Sequence, residues 1–496
     1  MLFIGIDIGT TNSKVGIVDA HGRMVTLKSR PTVSHVHKEG FSYYEPEEIW
    51  GHIANMLQEV TSEVDASQIT SIGITSMAES GVILHQVTGQ PQSFFMPWFD
   101  TCSEEQSDRI ATGSDALERF TKTGLKISFK MGLSKILWIR DRDPEALKDG
   151  KWVSVSGYIA YRLTGVMACD YTLATRTFAF DMEKKAWDTD FIRHFGIDPD
   201  VFPQVVPSGT PLGSVTAVGQ ALGLPPHVSV AIAGHDHVSA ALAVGAIAPG
   251  DVYNSMGTAE TLVGIVREQK LGEQEYQSGL GYGIHVVPGC YFWMGGNSAS
   301  GGSVEWIRDI VGRDTLNYDT VKQEVESCEP GPTGILYYPY LAGCGAPTPD
   351  THARASFIGL AKNHKRPQLL KAILEGTAYQ QEYIRRRAEE ITRQPIHHVR
   401  VIGGGARLEA WLRIKAAISG VEFLLPNIDE AALLGAAMVA AIGAQHYANA
   451  SEAVSAVQQE GQLRRISYEE QEHEAYQQFF HHKFVPIQAQ LRNWRT

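Results

Sequence analysis

The feature that most constrains this chain is a short internal repeat. Gly9-Thr10-Thr11-Asn12-Ser13-Lys14-Val15-Gly16-Ile17-Val18 returns as Gly257-Thr258-Ala259-Glu260-Thr261-Leu262-Val263-Gly264-Ile265-Val266, with six of ten positions identical, no gap, and about half the chain between the copies. Each copy is a Gly-Thr turn feeding a β-branched strand. Self-similarity of this kind marks a duplicated supersecondary unit. It predicts two related domains, residues 1–245 and 246–496. The length agrees, because 496 residues exceed what one hydrophobic core organises. Two such turns facing each other would clamp a phosphate chain from both sides.

Strands and helices alternate along both halves, the pattern of α/β domains. Phe3-Ile4-Gly5-Ile6-Asp7-Ile8 reads as a strand ending at Gly9, and Val15 to Val18 reads as its partner, leading to a turn at Asp19-Ala20-His21-Gly22. Glu45-Pro46-Glu47-Glu48 opens a helix whose apolar positions Ile49, Ile53, Leu57, Val60 and Val64 keep helical spacing. A strand at Ser71 to Thr75 follows. In the second half, strands are expected at His398 to Ile402 and Val421 to Leu425, and helices at Leu408 to Ser419 and Asp429 to Ile442. No low-complexity linker separates the halves, so they are expected to pack and hinge.

The bulk composition excludes several classes. A net charge of −12, with no Lys/Arg run, argues against nucleic acid or an anionic membrane as partner. The N-terminus carries no basic leader or cleavage site of a secretory signal. The longest apolar stretch, Ala431 to Ala444, is too short to span a bilayer. Five scattered cysteines, Cys102, Cys169, Cys290, Cys328 and Cys344, with no C-x-x-C, suit thiols in a reducing cytoplasm.

Several segments carry chemistry. The loop Asp7-x-Gly9-Thr10-Thr11-Asn12-Ser13-Lys14 holds the parts of a phosphate site: glycine admits the ligand close to the backbone, successive N–H groups form an anion nest, the threonines add donors, and Lys14 adds charge. Asp7, just before the turn, is placed to hold Mg²⁺ through water. The loop is not a Walker motif. Asp236 ends an apolar strand, Val228 to Ala233, and begins a helix; a carboxylate there can accept a hydroxyl proton or simply cap the helix. The flanking His235 and His237 are read as incidental to metal binding. Gly403-Gly404-Gly405-Ala406 lies between a strand and a helix, the place for a nucleotide or for a tight turn. Trp98-x-Asp100 and Met77-Ala78-Glu79-Ser80 suit a polyol, whose C–H faces rest on an aromatic ring and whose hydroxyls bond a carboxylate; Trp98 reads equally well as core. The small-residue run Glu430 to Ala437 is explained by a close helix contact without a ligand.

Together these residues resemble the FGGY carbohydrate kinases of the actin–Hsp70–sugar-kinase superfamily. The resemblance runs from Ile4 to about Gly443 and includes Asp7-x-Gly-Thr-Thr, Trp98-x-Asp100, Lys135-Ile136-Leu137-Trp138, Tyr158-x-x-x-Arg162-Leu163-Thr164-Gly165, Gly234-His235-Asp236, Ser255-Met256-Gly257-Thr258, Pro339-Tyr340-Leu341, Asp350-x-x-Ala353-Arg354-x-x-Phe357 and Gly403-Gly404-Gly405-Ala406. It implies two ribonuclease-H-like α/β domains flanking a cleft, with the acceptor on the first and adenosine on the second. It implies ATP as donor, Asp236 as catalytic base, Asp7 beside Mg²⁺, and phosphate contacts from Gly9, Thr10, Thr11, Asn12, Lys14, Gly257 and Thr258. Gly404, Gly405 and Ala406 match the adenosine side. Ala78, Glu79, Trp98, Asp100 and Asp236 line the acceptor site.

Departures from the family patterns bear on the acceptor. The glycerol-kinase pattern places Arg-Glu where this chain has Ala78-Glu79, and the xylulose-kinase pattern places Met-His nearby. Cys102 stands where many members carry arginine, and Gly343-Cys344-Gly345-Ala346-Pro347 replaces a common Gly-Glu-Arg-x-Pro. Glycerol is therefore disfavoured. The default expectation is a ketopentose such as xylulose, with an aldonic acid or polyol as alternative and Lys130 as partner of an acid. A sugar-independent ATPase of the actin or Hsp70 type, or a silent sugar sensor, is the rival class. No motif reports the assembly state; a homodimer is the base-rate expectation.

Overall fold

The computed structural model of the chain describes residues 1–458 and 463–491. The first half builds a six-stranded sheet from β1 (Leu2–Ile8), β2 (Asn12–Asp19), β3 (Met24–Pro31), β4 (Ile69–Ser76), β5 (Pro211–Ser214) and β6 (Ser229–His235). Its order is β5-β6-β4-β1-β2-β3. The second half builds a seven-stranded sheet from β7 (Val252–Met256), β8 (Glu260–Arg267), β9 (Gly281–Ile284), β10 (Cys290–Asn297), β11 (His398–Ile402), β12 (Glu422–Leu425) and β13 (Arg464–Ile466), in the order β9-β10-β8-β7-β11-β12-β13.

The two sheets share one plan. In the first, β1, β2 and β3 are antiparallel neighbours, and β4 and β6 run parallel to β1. In the second, β7, β8 and β10 are antiparallel, and β11 and β12 run parallel to β7. An antiparallel strand, β5 or β13, closes the far edge of each. The sequence repeat falls at the same place in both: Gly9 opens the turn from β1 to β2, and Gly257 the turn from β7 to β8. Each turn is closed by its glycine N–H, bonded to Asn12 O at 3.0 Å and to Ala259 O at 3.0 Å. This duplicated plan is the expected pair of ribonuclease-H-like domains.

Both faces of the first sheet are covered, which is why β1 is apolar almost throughout. Ile4, Ile6 and Ile8 share a core cluster with Ile49, Ile53 and Leu57 of helix α1 (Pro46–Ser62). Phe3, on the opposite face, clusters with Val238 and Leu242 of helix α3 (Asp236–Ala243) and with Leu434 and Met438 of helix α7 (Ala431–Gly443). Between α1 and α3 lies helix α2 (Gly132–Arg142); between α3 and α7 lie α4 (Gly301–Val311), α5 (Arg366–Thr392) and α6 (Glu409–Ser419). Helix α7 belongs to the second half of the chain but lies on the sheet of the first. Among the described residues no helix is long and apolar enough to cross a membrane, and no disulfide is formed.

Candidate active site

Asp7 sits at the end of β1, in register with Lys14 on β2 and Thr75 on β4. Its position follows Phe3 and Gly5 in the alternation of the strand, so its side chain emerges on the α3–α7 side of the sheet. Asp236 is the first residue of α3, immediately after β6, as the sequence indicated. It does not cap the helix: the N-cap is His235, and Asp236 Oδ1 accepts the N–H of His237 at 2.7 Å. His235 Nε2 lies 3.2 Å from the same oxygen.

The two carboxylates have opposite ionisation. Burial pushes Asp7 up to about 8, the charge of Asp236 adds to the rise, and Lys14 only partly opposes it. Burial acts on Asp236 too, but His237 and His235 outweigh it and hold that carboxyl down to about 2. Asp7 Oδ1 is buried with no hydrogen-bond partner. An orphaned carboxylate oxygen beside a second carboxylate is what a hard divalent cation satisfies, and the surrounding residues therefore fit Mg²⁺ held at Asp7.

The two Gly-Thr turns differ in support. Thr11 O accepts the N–H of Thr32 at 2.9 Å, and Thr10 Oγ1 accepts Trp98 Nε1–H at 2.8 Å. The exposed Gly257-Thr258 turn is backed by the start of α4, where Gly301 and Gly302 donate to the carbonyls of Gly257 and Thr258 at 3.2 and 2.9 Å. Behind it, Glu260 and Lys415 form a buried ion pair at 2.8 Å. The glycine triplet lies alongside: a Cβ on Gly403, at φ +105°, would stand 2.5 Å from Met256 O. Gly404 faces open space, whereas Ala406 is buried. Thus Gly404–Ala406 and Gly257–Thr258 share one rim. Burial raises the Tyr253 hydroxyl on β7, and the charges of Asp236 and Asp7 add to the rise.

The positive charge that Lys14 brings to the turn is shared with a carboxylate. Its Nζ pairs with Glu430 at 2.5 Å, at the start of α7. Asn12 contributes a backbone carbonyl to the turn and begins β2.

Among the residues expected to bind the acceptor, Glu79 is a non-glycine residue at φ +56°, a conformation costing roughly 1–2 kcal/mol. Its side chain is held by Arg176, whose Nε donates to Oε1 at 2.7 Å. Although burial would raise it, Arg176, His235 and Lys130 keep Glu79 below its ordinary range. Trp98 is half-buried, and Lys130 Nζ sits 5.1 Å from its ring centroid. Asp100 is engaged with backbone: Oδ2 accepts Ser42 N–H at 2.6 Å and Oδ1 accepts Cys102 N–H at 2.9 Å. Ala78 is buried in the core cluster and presents no polar side chain.

Two residues of this side were not singled out from the sequence. Arg176 lies 97 positions beyond Glu79, and no spacing rule connects them. Lys135 enters the sequence reading only as part of Lys135-Ile136-Leu137-Trp138. Its side chain is fully buried, and Nζ donates to the carbonyls of Glu79 and of Pro97, the latter at 2.7 Å. Burial pushes it down to about 7 against the charges of Glu79, Cys102 and Asp100. A lysine inside an apolar run was the available signal, since an amphipathic reading would have put it on the surface.

The model of the FGGY family of carbohydrate kinases, N-terminal domain, matches residues 2–243, and that of the C-terminal domain matches residues 252–444. Similar relatives are a xylulose kinase of Lactococcus lactis (28% identical, covering 89% of this chain and 87% of that protein), a gluconokinase of Bacillus subtilis (27%, 88% and 86%) and a glycerol kinase of Shewanella frigidimarina (28%, 88% and 88%). The fold matches that of a ligand-bound xylulose kinase from Lactobacillus acidophilus, with a TM-score of 0.90, 21% identity, and coverage of 99% of this chain and 98% of that one. The relatives are phosphotransferases acting on different alcohols, so identity at this level leaves the acceptor open while setting aside the sugar-independent ATPase. The chain belongs to the FGGY family of carbohydrate kinases, enzymes that transfer phosphate from ATP to a hydroxyl of a small carbohydrate.

Proposed function

We propose that this kinase phosphorylates a ketopentose such as xylulose, with Asp236 as general base and Mg²⁺ held at Asp7. The observation that carries the reading is the pair of carboxylates beside the Gly9–Thr11 turn, one kept ionised by two histidines and the other buried with an orphaned oxygen. Asp236 is ionised at neutral pH and can accept a proton. Its low basicity suits a late transfer, after the attacking hydroxyl has lost electron density to phosphorus. In that step the acceptor oxygen bonds to the γ-phosphorus, the bond to the bridging oxygen of ADP breaks, and the hydroxyl proton passes to Asp236. Bound at Asp7, Mg²⁺ would neutralise charge on the phosphates. Thr10 and Thr11 in one turn and Thr258 in the other supply backbone N–H groups to the phosphates from two sides, Gly9 and Gly257 closing the turns with their own N–H groups and letting the phosphates approach. Asn12 ends the first turn, and Gly404, Gly405 and Ala406 border the adenosine. Lys14 serves this site indirectly, by tying the turn to Glu430.

For the acceptor, Glu79 bonds hydroxyls while Arg176 fixes its orientation, and Trp98 covers a C–H face. Asp100 shapes the wall through its two backbone bonds. ADP release with Mg-ATP, measured over D-xylulose, D-ribulose, D-gluconate and glycerol, tests the reading. One acceptor should stimulate turnover strongly, and Asp236→Asn should lower kcat by about 10²–10⁴-fold. Near-normal kcat in that variant would remove Asp236 from the role of base.

A second reading, an aldonic acid as acceptor, is favoured by one observation: Lys130 places its ammonium over the Trp98 ring, at the pocket wall. Lys130→Ala should then raise KM for D-gluconate at least tenfold more than KM for D-xylulose. Equal effects on both would exclude a carboxylate partner at Lys130.

A further inference from the structure

Two sets of hydrogen bonds, from Lys135 to backbone carbonyls on either side and from the Trp98 indole to Thr10, connect the segments expected to line the acceptor pocket to the Gly9–Thr11 turn. Its first link is Lys135 on α2. The ammonium has three donors and no acceptor; here they meet the carbonyls of Glu79, Pro97 and Met96, the last two at 2.7 and 3.4 Å. One fully buried cation thus joins the segment that ends in Glu79 to the segment that ends in Trp98. The second link is Trp98, whose Nε1–H donates to Thr10 Oγ1 at 2.8 Å. Indole nitrogen only donates, so the Thr10 oxygen is the acceptor and its own O–H must be donated elsewhere. The backbone of Thr10 is held as well, its carbonyl accepting the hydroxyl of the buried Tyr44 at 3.5 Å.

We propose that Trp98 couples acceptor binding to nucleotide binding: Lys135 is a positioning residue that holds the indole in place, the ring forms a wall of the acceptor pocket, and the indole N–H sets the Thr10 hydroxyl to donate to a phosphate oxygen. This rests on the reading of the cleft given above. An acceptor lying on the ring immobilises Trp98 and with it the Thr10 rotamer, so the nucleotide meets a turn that is already ordered. Linkage makes the effect reciprocal. Its size is set by one neutral hydrogen bond, about three- to tenfold in affinity.

The test is the dissociation constant of Mg-AMP-PNP, measured by calorimetry without acceptor and with a saturating concentration of whichever of D-xylulose, D-ribulose, D-gluconate or glycerol the wild-type chain phosphorylates. The ratio of the two constants should be about three to ten in the wild type. It should fall toward one in Trp98→Phe, which keeps a ring and loses the N–H. The double variant Trp98→Phe/Thr10→Val should have no smaller a ratio than Trp98→Phe alone. Lys135→Met should lower the ratio and raise KM for the acceptor more than it lowers kcat; should that variant not fold, Trp98→Phe decides. A wild-type ratio retained in Trp98→Phe overturns the proposal. A ratio of one in a wild type that phosphorylates an acceptor overturns it and leaves the kinase reading intact, whereas a wild type that phosphorylates none of the four brings down the ketopentose reading and this inference together.

Discussion

Burial acts on both Asp7 and Asp236, yet one is raised and the other lowered, and the difference lies in their neighbours. Asp236 has two imidazoles and a backbone N–H; Asp7 has another carboxylate and a lysine already engaged by Glu430. Glu375 on α5 follows the same logic away from the cleft. Burial pushes it up to about 7, even though it accepts hydrogen bonds from Thr333 Oγ1 at 2.6 Å and Tyr476 OH at 3.1 Å. Its folded value lies above its unfolded one, so the folded state holds the extra proton. Stability from this group is complete below about 4.5 and is lost as pH rises to about 7. The full change is of order 3 kcal/mol. Glu375→Gln carries no such titration, so its Tm deficit relative to wild type should shrink between pH 5 and pH 8. A deficit independent of pH would show that Glu375 does not titrate in this window. At this scale the sequence exposed residues at strand ends, such as Asp7 and Asp236. It left Arg176 and Lys135 unassigned, because their partners lie far away along the chain.

Helix α7 shows what an element's composition is for. Its sequence is apolar all round, which marks a helix enclosed on every side. The enclosing surface is a row of small residues: Gly16, Gly5, Gly73 and Ala231 stand side by side on β2, β1, β4 and β6. A Cβ on Gly5 would meet Leu433 O at 2.2 Å, and one on Gly73 would meet Ala436 O at 1.8 Å. On the helix side, a Cβ on Gly435 would stand 1.9 Å from Ser239 O of α3. The small-residue run is therefore a close contact, as its composition suggested. In an exposed helix Gly→Ala gains about 1 kcal/mol. Gly435→Ala should instead lower Tm by several degrees, since overpacking here costs about 1–3 kcal/mol. It should also lower kcat, because α3 begins with Asp236. A raised Tm would show that α3 and α7 separate freely.

Across the whole molecule, α7 and the Lys14–Glu430 pair tie the second half of the chain to the first. Two sheets of one plan carry their equivalent turns at the same place in each half, and one returning helix packs the second half onto the first. Closure of a cleft around a nucleotide and acceptor excludes water from the transfer. On the proposed reading, the choice of acceptor falls to a few side chains on the first half, among them Glu79, Trp98 and Lys130. Relatives with similar overall identity bear the names of three different alcohol kinases, so whole-chain likeness carries little information about those few positions.

By itself the sequence determined the duplication, the strands on which the turns sit, and the carboxylates at their ends. These are local properties: periodicity, β-branched runs and glycine turns act within a few residues. It also determined the family, because the ordered motifs span most of the chain. Only the tertiary structure decided that Lys14 pairs with Glu430, that Asp100 is occupied by backbone N–H groups, that Ala78 lies in the core, and that the Trp98 indole donates to Thr10 in the Gly9–Thr11 turn. Those outcomes depend on which polar groups are brought together when water is removed, and residues far apart in the chain compete for the same donors and acceptors.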